Sequence, residues 1–440
     1  MPFTDKRFIN KKYLRIKMIN FITTQLHHFA DKHGVQPAFN LEIPLDNMDL
    51  LTLLKGQSLA EFPIYPAIYW QDKEQAETLA CLGKIEERYD IPEPTQQANW
   101  IGGLAFQQQG EQWQDFPAIY FIRPALEFKQ TKQHLNLICH FNGIHSVTET
   151  INLVAQLQQS VPLASTINTK FERTDTPNQQ QWADLVELAI EYKALIPKVV
   201  LSRKTELICT NKVNHLDLLN QWQQANPASF HFSLQFSKQH AYICCSPERL
   251  FSREQQHLKT EALAGTIKRG RDEREDLFLV KSLLADKKID RENHLVQEFI
   301  VANLLGLKAK VFADTPYVMQ LQHVQHLCVP INATLNKKTS DAQLLHRLHP
   351  TPAVGGSPKL PALQFINDKE PYLRGWYAGT VGYLTEKKSE FSVAIRSALI
   401  EENKISLFAG AGIVTGSVAS QEWQELDNKI DTVLTILKGN

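Results

Sequence analysis

Pro197-Lys198-Val199-Val200-Leu201-Ser202-Arg203 is the stretch that orients the rest of the chain. Two valines and a leucine in succession favour a strand. The stretch directly follows residues 182–195, whose apolar side chains recur at helical spacing. Alternation sets Lys198, Val200 and Ser202 on one face and Val199 and Leu201 on the other. If the strand is central, Lys198 is drawn out of water, its charged form is disfavoured, and it can serve as a base near neutrality. If the strand lies at an end or edge, the amine reaches solvent, which is the common fate of a lysine.

Working outward, the same mixture of short strands and helices continues in both directions. Residues 118–123, 135–140, 230–236 and 391–395 are short, apolar and rich in aromatic or β-branched side chains, so they read as strands. Residues 182–195, 216–224, 277–305 and 423–437 carry helical spacing, the last with Trp423, Leu426, Ile430, Val433 and Leu437 on one stripe. Glutamine-rich runs at 107–114 and 179–181 read as surface loops. Strands and helices follow no regular βαβ alternation. The expectation is an α+β protein with extensive, largely antiparallel sheet.

The 440 residues are 43% hydrophobic and 21% charged, ample for a large core. No linker or internal repeat divides them, so one large domain is expected over residues 18–440. Lys+Arg and Asp+Glu both number 47, which gives no electrostatic case for nucleic acid or an anionic membrane as partner. No apolar run is long enough to span a bilayer. Cysteines at 81, 139, 209, 244, 245 and 328 form no CxxC pair and read as reduced, buried thiols of a cytoplasmic protein. Residues 1–17 carry Lys6, Arg7, Lys11, Lys12, Arg15 and Lys17 without the apolar core of a secretory signal. They read as a basic, frayed extension, with Met18 as an alternative start and an organellar targeting peptide as the less favoured reading.

The C-terminal 250 residues hold polar groups inside apolar strings. In Cys245-Ser246-Pro247-Glu248-Arg249-Leu250, Pro247 fixes the backbone before a glutamate. That carboxyl either donates a proton, if its surroundings raise its pKa, or pairs with Arg249 at the surface. Leu263-Ala264-Gly265-Thr266 allows close backbone approach to a ligand, or is a plain turn. Glu292 shares a helix face with Leu295, Val296 and Phe299 and there needs a cationic partner. Glu422 and Glu425 flank the stripe of the last helix in the same way. Two such helices facing each other would make an oxygen-rich site suited to Mg²⁺. Arg396 follows a strand and can clamp a carboxylate. Gly410-Ala411-Gly412 can present N–H groups to an anion, and Tyr377 offers a phenol.

Taken together and in order, these segments resemble the chorismate-utilising enzymes: isochorismate synthases, salicylate synthases, and the large subunits of anthranilate and aminodeoxychorismate synthases. The resemblance runs from about Lys198 to Lys429. Besides the segments above it takes in Lys288 with Arg291-Glu292-Asn293, His349-Pro350-Thr351-Pro352-Ala353, Arg374-Gly375-Trp376-Tyr377-Ala378-Gly379, Val393-Ala394-Ile395-Arg396 and Glu422-Trp423-Gln424-Glu425. It implies one layered, largely antiparallel sheet core wrapped by helices, with the motifs of residues 180–440 around a deep cleft. It implies that Lys198 activates water for attack at ring carbon 2 and that Glu248 protonates the hydroxyl leaving carbon 4. Glu292 and Glu425 would hold Mg²⁺, with Glu422 in support. Tyr377, Arg396 and the Gly412 backbone would hold the substrate carboxylates, and Ala264, Gly265, Thr266 and His349 would line the pocket.

Within the family, Lys198 separates the water-adding members from those that add ammonia, which carry glutamine there and need a glutaminase partner. None is expected here. The run Glu292-Asn293-His294 resembles the menaquinone-branch isochorismate synthases, as do 64–70 and Asp427-Asn428-Lys429. The alternatives are a salicylate synthase that goes on to release pyruvate, a siderophore-branch isochorismate synthase, an ammonia-adding synthase subunit and a non-catalytic chorismate-binding regulator.

Overall fold

The computed structural model describes residues 6–96, 98–320 and 324–439, apart from the side chains of 6–14, 264, 266, 287, 288 and 324. Ala264 and Thr266 therefore have a described backbone only.

Every strand pairing among the described residues is antiparallel, and the pairings run on as one ladder. Its first arm passes from Phe171–Thr176 through Lys198–Cys209, Lys404–Val414, Ser397–Glu401, His240–Ser246 and Phe230–Gln235 to Ala67–Gln71. Two long strands, Glu77–Arg88 and Ile119–Thr131, make the turn. The second arm continues through Trp100–Leu104, Thr380–Leu384, Lys388–Val393, Arg249–Glu254 and His257–Lys268 to Val324–Thr334. The arms pack on each other through rings: Trp70 of the first meets Tyr383 of the second edge-on, with centroids 6.2 Å apart. A single buried apolar cluster runs through both, from Ile22 to Leu437. This is the expected α+β architecture.

Two of the chain's passages between the arms carry residues of the site. The chain leaves the first arm at Ser246 and enters the second at Arg249, so Glu248 lies on the crossing. It leaves the second arm at Val393 and re-enters the first at Ser397, so Arg396 lies on the return crossing, with a φ of +50°. The crossings are tied together: Val393 N–H donates to the Glu248 carbonyl at 3.1 Å and Cys245 N–H to the Arg396 carbonyl at 2.9 Å.

The helices Gln179–Glu191, His215–Ala225 and Ala419–Lys438 cover the first arm, and Lys287–Gly306 lies on the second. Two expectations are corrected. Residues 179–181 are the first turn of a helix, because Asn178 accepts the Gln181 N–H and Gln181 answers to the Asn178 N–H in a capping box. The helical stretch 277–305 is two helices, Glu273–Ala285 and Lys287–Gly306. Asp286 stops the first, and its carboxylate accepts the Ile289 N–H at the start of the second. The boundary expected at residue 18 falls inside one continuous helix, Lys6–His33. No Pro or Gly interrupts it, and Gly34 ends it at a φ of +83°. No helix among the described residues is long and apolar enough to cross a membrane.

Candidate active site

A cavity of about 230 Å³ opens between the two arms, the Glu292 helix and the C-terminal helix. The first arm contributes Val200, Phe408, Gly410 and Gly412, and the crossings contribute Glu248 and Arg396. The second arm adds Leu263, Gly265 and His326, and the helices add Glu292, Glu422, Glu425 and Lys429.

Lys198 opens the strand Lys198–Cys209 and is flanked in register by Val414 on one side and Ser357 on the other. With neighbours on both edges it is fully buried, so the central-strand reading holds. Its Nζ stands 2.9 Å from Glu292 Oε1, an ion pair at the cavity wall. Glu292 comes from the other arm's helix, and that helix is pinned by Asn293. The buried Asn293 amide donates to the carbonyls of Ala262 and Leu327, at 3.0 Å each. A helix held by both strands beneath it presents Glu292 in one orientation.

Glu248 is buried and does not pair with its neighbour. Arg249 instead reaches Glu74, at 2.7 and 2.8 Å, and Glu390. Burial, and after it the nearby charge of Glu261, pushes the Glu248 carboxyl up to about 8, against the opposing pull of Lys198, Lys73 and Lys429. At neutral pH it is an acid holding its proton.

The glycines answer to close approach. A Cβ on Gly412 would stand 2.8 Å from Glu292 Oε1 and 3.3 Å from Lys198 Cε, and one on Gly410 would stand 2.6 Å from the Tyr377 hydroxyl. Gly265 sits at a φ of +82° in a bulge where the register slips between Ala264 and Thr266. The buried Tyr377 ring stacks on Phe408, with centroids 5.2 Å apart. Arg396 donates to the Lys429 carbonyl at 3.0 Å, and Lys429 Nζ reaches Glu425 at 2.5 Å and the Gly410 carbonyl at 2.7 Å.

Of the residues singled out in the sequence, Glu248, Gly265, Glu292, Tyr377, Arg396, Gly412, Glu422 and Glu425 line this cavity, and Lys198 stands directly behind its wall, paired with Glu292. His349 does not line it. It is buried nearby, its carbonyl accepts Lys359 Nζ at 2.7 Å, and burial drives its pKa down to about 3. Two residues downstream of Thr351 in the same loop, Ala353 and its neighbour Val354 supply the lining instead. The side chains of Ala264 and Thr266 lie outside the described residues. His326, which the sequence reading missed, is buried at the cavity opposite Thr266 in register, and burial pushes its pKa down to about 3. A lone histidine in the apolar run 324–334 was the available signal.

The donor chemistry fits a hard cation. Glu292, Glu422, Glu425 and Asp286 line the wall against Lys429 and Arg396, with Lys198 behind Glu292. An anionic substrate would leave the site short of positive charge, a deficit that a divalent ion with carboxylate ligands fills. Among the described residues the carboxylates do not converge into a ready three-ligand cluster. Glu292 and Glu425 instead face lysines.

The sequence profile of the chorismate binding enzymes matches residues 88–438. Isochorismate synthase MenF of Escherichia coli is 35% identical over 94% of this chain and 97% of its own length. The solved structure of the menaquinone-specific isochorismate synthase MenF from Escherichia coli superposes with a TM-score of 0.84 at 33% identity, covering 94% of this chain and 99% of that one. Anthranilate synthase component I of Streptococcus pneumoniae, at 19% identity, shares the fold with a TM-score of 0.67 over 90% of this chain and 92% of its own. A profile that spans the cavity's every wall, together with a relative alike from end to end, makes the assignment plain: the chain belongs to the chorismate binding enzyme family.

Proposed function

We propose that the chain is an isochorismate synthase, an isomerase that moves the ring hydroxyl of chorismate from carbon 4 to carbon 2 by adding one water and losing another. The arrangement that carries this is a buried lysine paired with the cavity-lining Glu292 and, lining the same cavity, a buried glutamate whose carboxyl is pushed up to about 8. In its uncharged form, released from the ion pair with Glu292, Lys198 takes a proton from the attacking water as its oxygen bonds to carbon 2. Glu248 gives its proton to the carbon 4 hydroxyl, which leaves as water while the ring double bonds shift between. Tyr377 and Arg396 orient the substrate carboxylates, and the glycines at 410 and 412 leave room beside them. Glu292, Glu422 and Glu425 would hold Mg²⁺, which supplies charge neutralisation for an anionic substrate. A lysine at 198 supports water as the nucleophile, so no glutaminase partner is required.

The end-to-end likeness to the menaquinone-specific enzyme of Escherichia coli supports the menaquinone branch. Six unpaired, buried thiols support a reducing compartment such as the cytoplasm. Purified protein with chorismate and Mg²⁺, followed by chromatography and a coupled pyruvate assay, tests the reading. Isochorismate without pyruvate is expected. Salicylate with equal pyruvate would make the chain a lyase instead.

A further inference from the structure

The crossing that carries Glu248 is held from the far end of the sequence. The Arg249 N–H, the peptide group just after Glu248, donates to Glu261 Oε1 at 2.8 Å. Glu261 is buried on the strand His257–Lys268, and Lys73 Nζ grips both its oxygens at 2.7 and 2.8 Å. Lys73 and Glu74 belong to the hairpin turn between Ala67–Gln71 and Glu77–Arg88, and Glu74 takes the Arg249 guanidinium through both its oxygens. The turn is itself rigid, because Asp72 accepts the N–H groups of Ala76 and Glu77 at 2.8 and 2.9 Å. Two salt bridges from one stiff turn therefore fix the backbone on the C-terminal side of Glu248. The Ser246 hydroxyl, accepting the Glu248 N–H at 3.2 Å, fixes the other side.

We propose that the Lys73–Glu261 pair positions Glu248 and sets the pH range over which it carries its proton. The inference rests on Glu248 being the acid of the proposed reaction. Glu261 faces it from the second arm with a negative charge. Lys198 from the first arm, Lys73 from the turn and Lys429 from the C-terminal helix face it with positive ones. Arg249, next to it in the chain, is occupied by Glu74 and Glu390. Glu261 favours the protonated acid and Lys73 tempers Glu261, so the two act with opposite sign. Both are positioning residues, since neither lines the cavity.

The test is the pH profile of kcat/KM for isochorismate formation in four variants. Glu261→Gln should move the alkaline limb down by roughly one pH unit. Lys73→Met should move it up, and Glu261→Asp, which keeps the charge, should leave it near wild type. Loosened packing would not displace the limb in opposite directions. Folded variants whose limbs stay put, or move the same way, overturn the proposal. If Glu261→Gln does not fold, the upward shift in Lys73→Met carries the test alone. Glu248→Gln separates the two levels: near-normal turnover there removes the acid itself, whereas an inactive Glu248→Gln beside unmoved limbs removes only the role of the pair.

Discussion

The two walls of the cavity are built differently. The sheet wall places Lys198 at the start of a strand and Glu248 on the crossing between two, deep in the protein, at 0% and 4% exposure. The helix wall places Glu292 and Glu425 on two helices with side chains 19% and 34% exposed, each against a lysine. Burial raises the proton affinity of a carboxyl and makes it an acid, whereas partial exposure leaves a carboxylate charged and able to exchange partners. In the proposed mechanism, proton transfer would fall to the sheet wall and ion binding to the helix wall.

The sharpest way to break that contrast is to remove the groups of the sheet wall. Lys198→Ala and Glu248→Gln should each lower kcat by about 10²–10⁴ with little change in the circular dichroism of the folded protein. A loss below tenfold in either would take that residue out of proton transfer. On the helix wall, Glu422→Gln or Glu425→Gln should show itself mainly as a raised Mg²⁺ requirement. Calorimetric titration of the metal without substrate should find weaker binding by about tenfold or more. Unchanged metal affinity in both would mean that the ion binds elsewhere.

A gentler probe is pH. Glu248 must hold its proton to act, and its pKa stands at about 8. Activity should therefore persist through neutrality and fall roughly tenfold per unit above that value. A fall beginning near pH 5 would mean that the acid titrates like an exposed glutamate. The smallest effect is expected from Asn293→Ala, which leaves the Ala262 and Leu327 carbonyls without their amide partner. Chemical denaturation should register a loss of about 1–3 kcal/mol. The apparent Mg²⁺ affinity should drop with it if the helix positions Glu292.

Much of this was legible in the chain. Strand alternation put Lys198 and Val200 on one face, and both belong to the site. Helical spacing put Glu292, Glu422 and Glu425 on faces that turn to the cavity. These periodicities are local, so they survive without coordinates. What was illegible was contact at long range. Nothing near Glu248 announces that Glu261 and the Lys73 turn hold it, since Lys73 lies 188 residues from its partner. His349 sits in a motif with pocket residues yet faces elsewhere, because direction inside an irregular loop follows no period. The glutamines of 179–181 looked like a loop by composition, when the deciding residue was the cap at Asn178.

One ladder threads both halves of the sequence: 67–71 lies against 230–235, and 100–104 against 380–384. Residues 157–170, between Val147–Gln156 and Phe171–Thr176, form no strand or helix of their own. A gene divided there would encode two polypeptides, each with raw strand edges that match only the other. Neither piece could close the ladder without the other, so the two ends of the gene must be made and folded together.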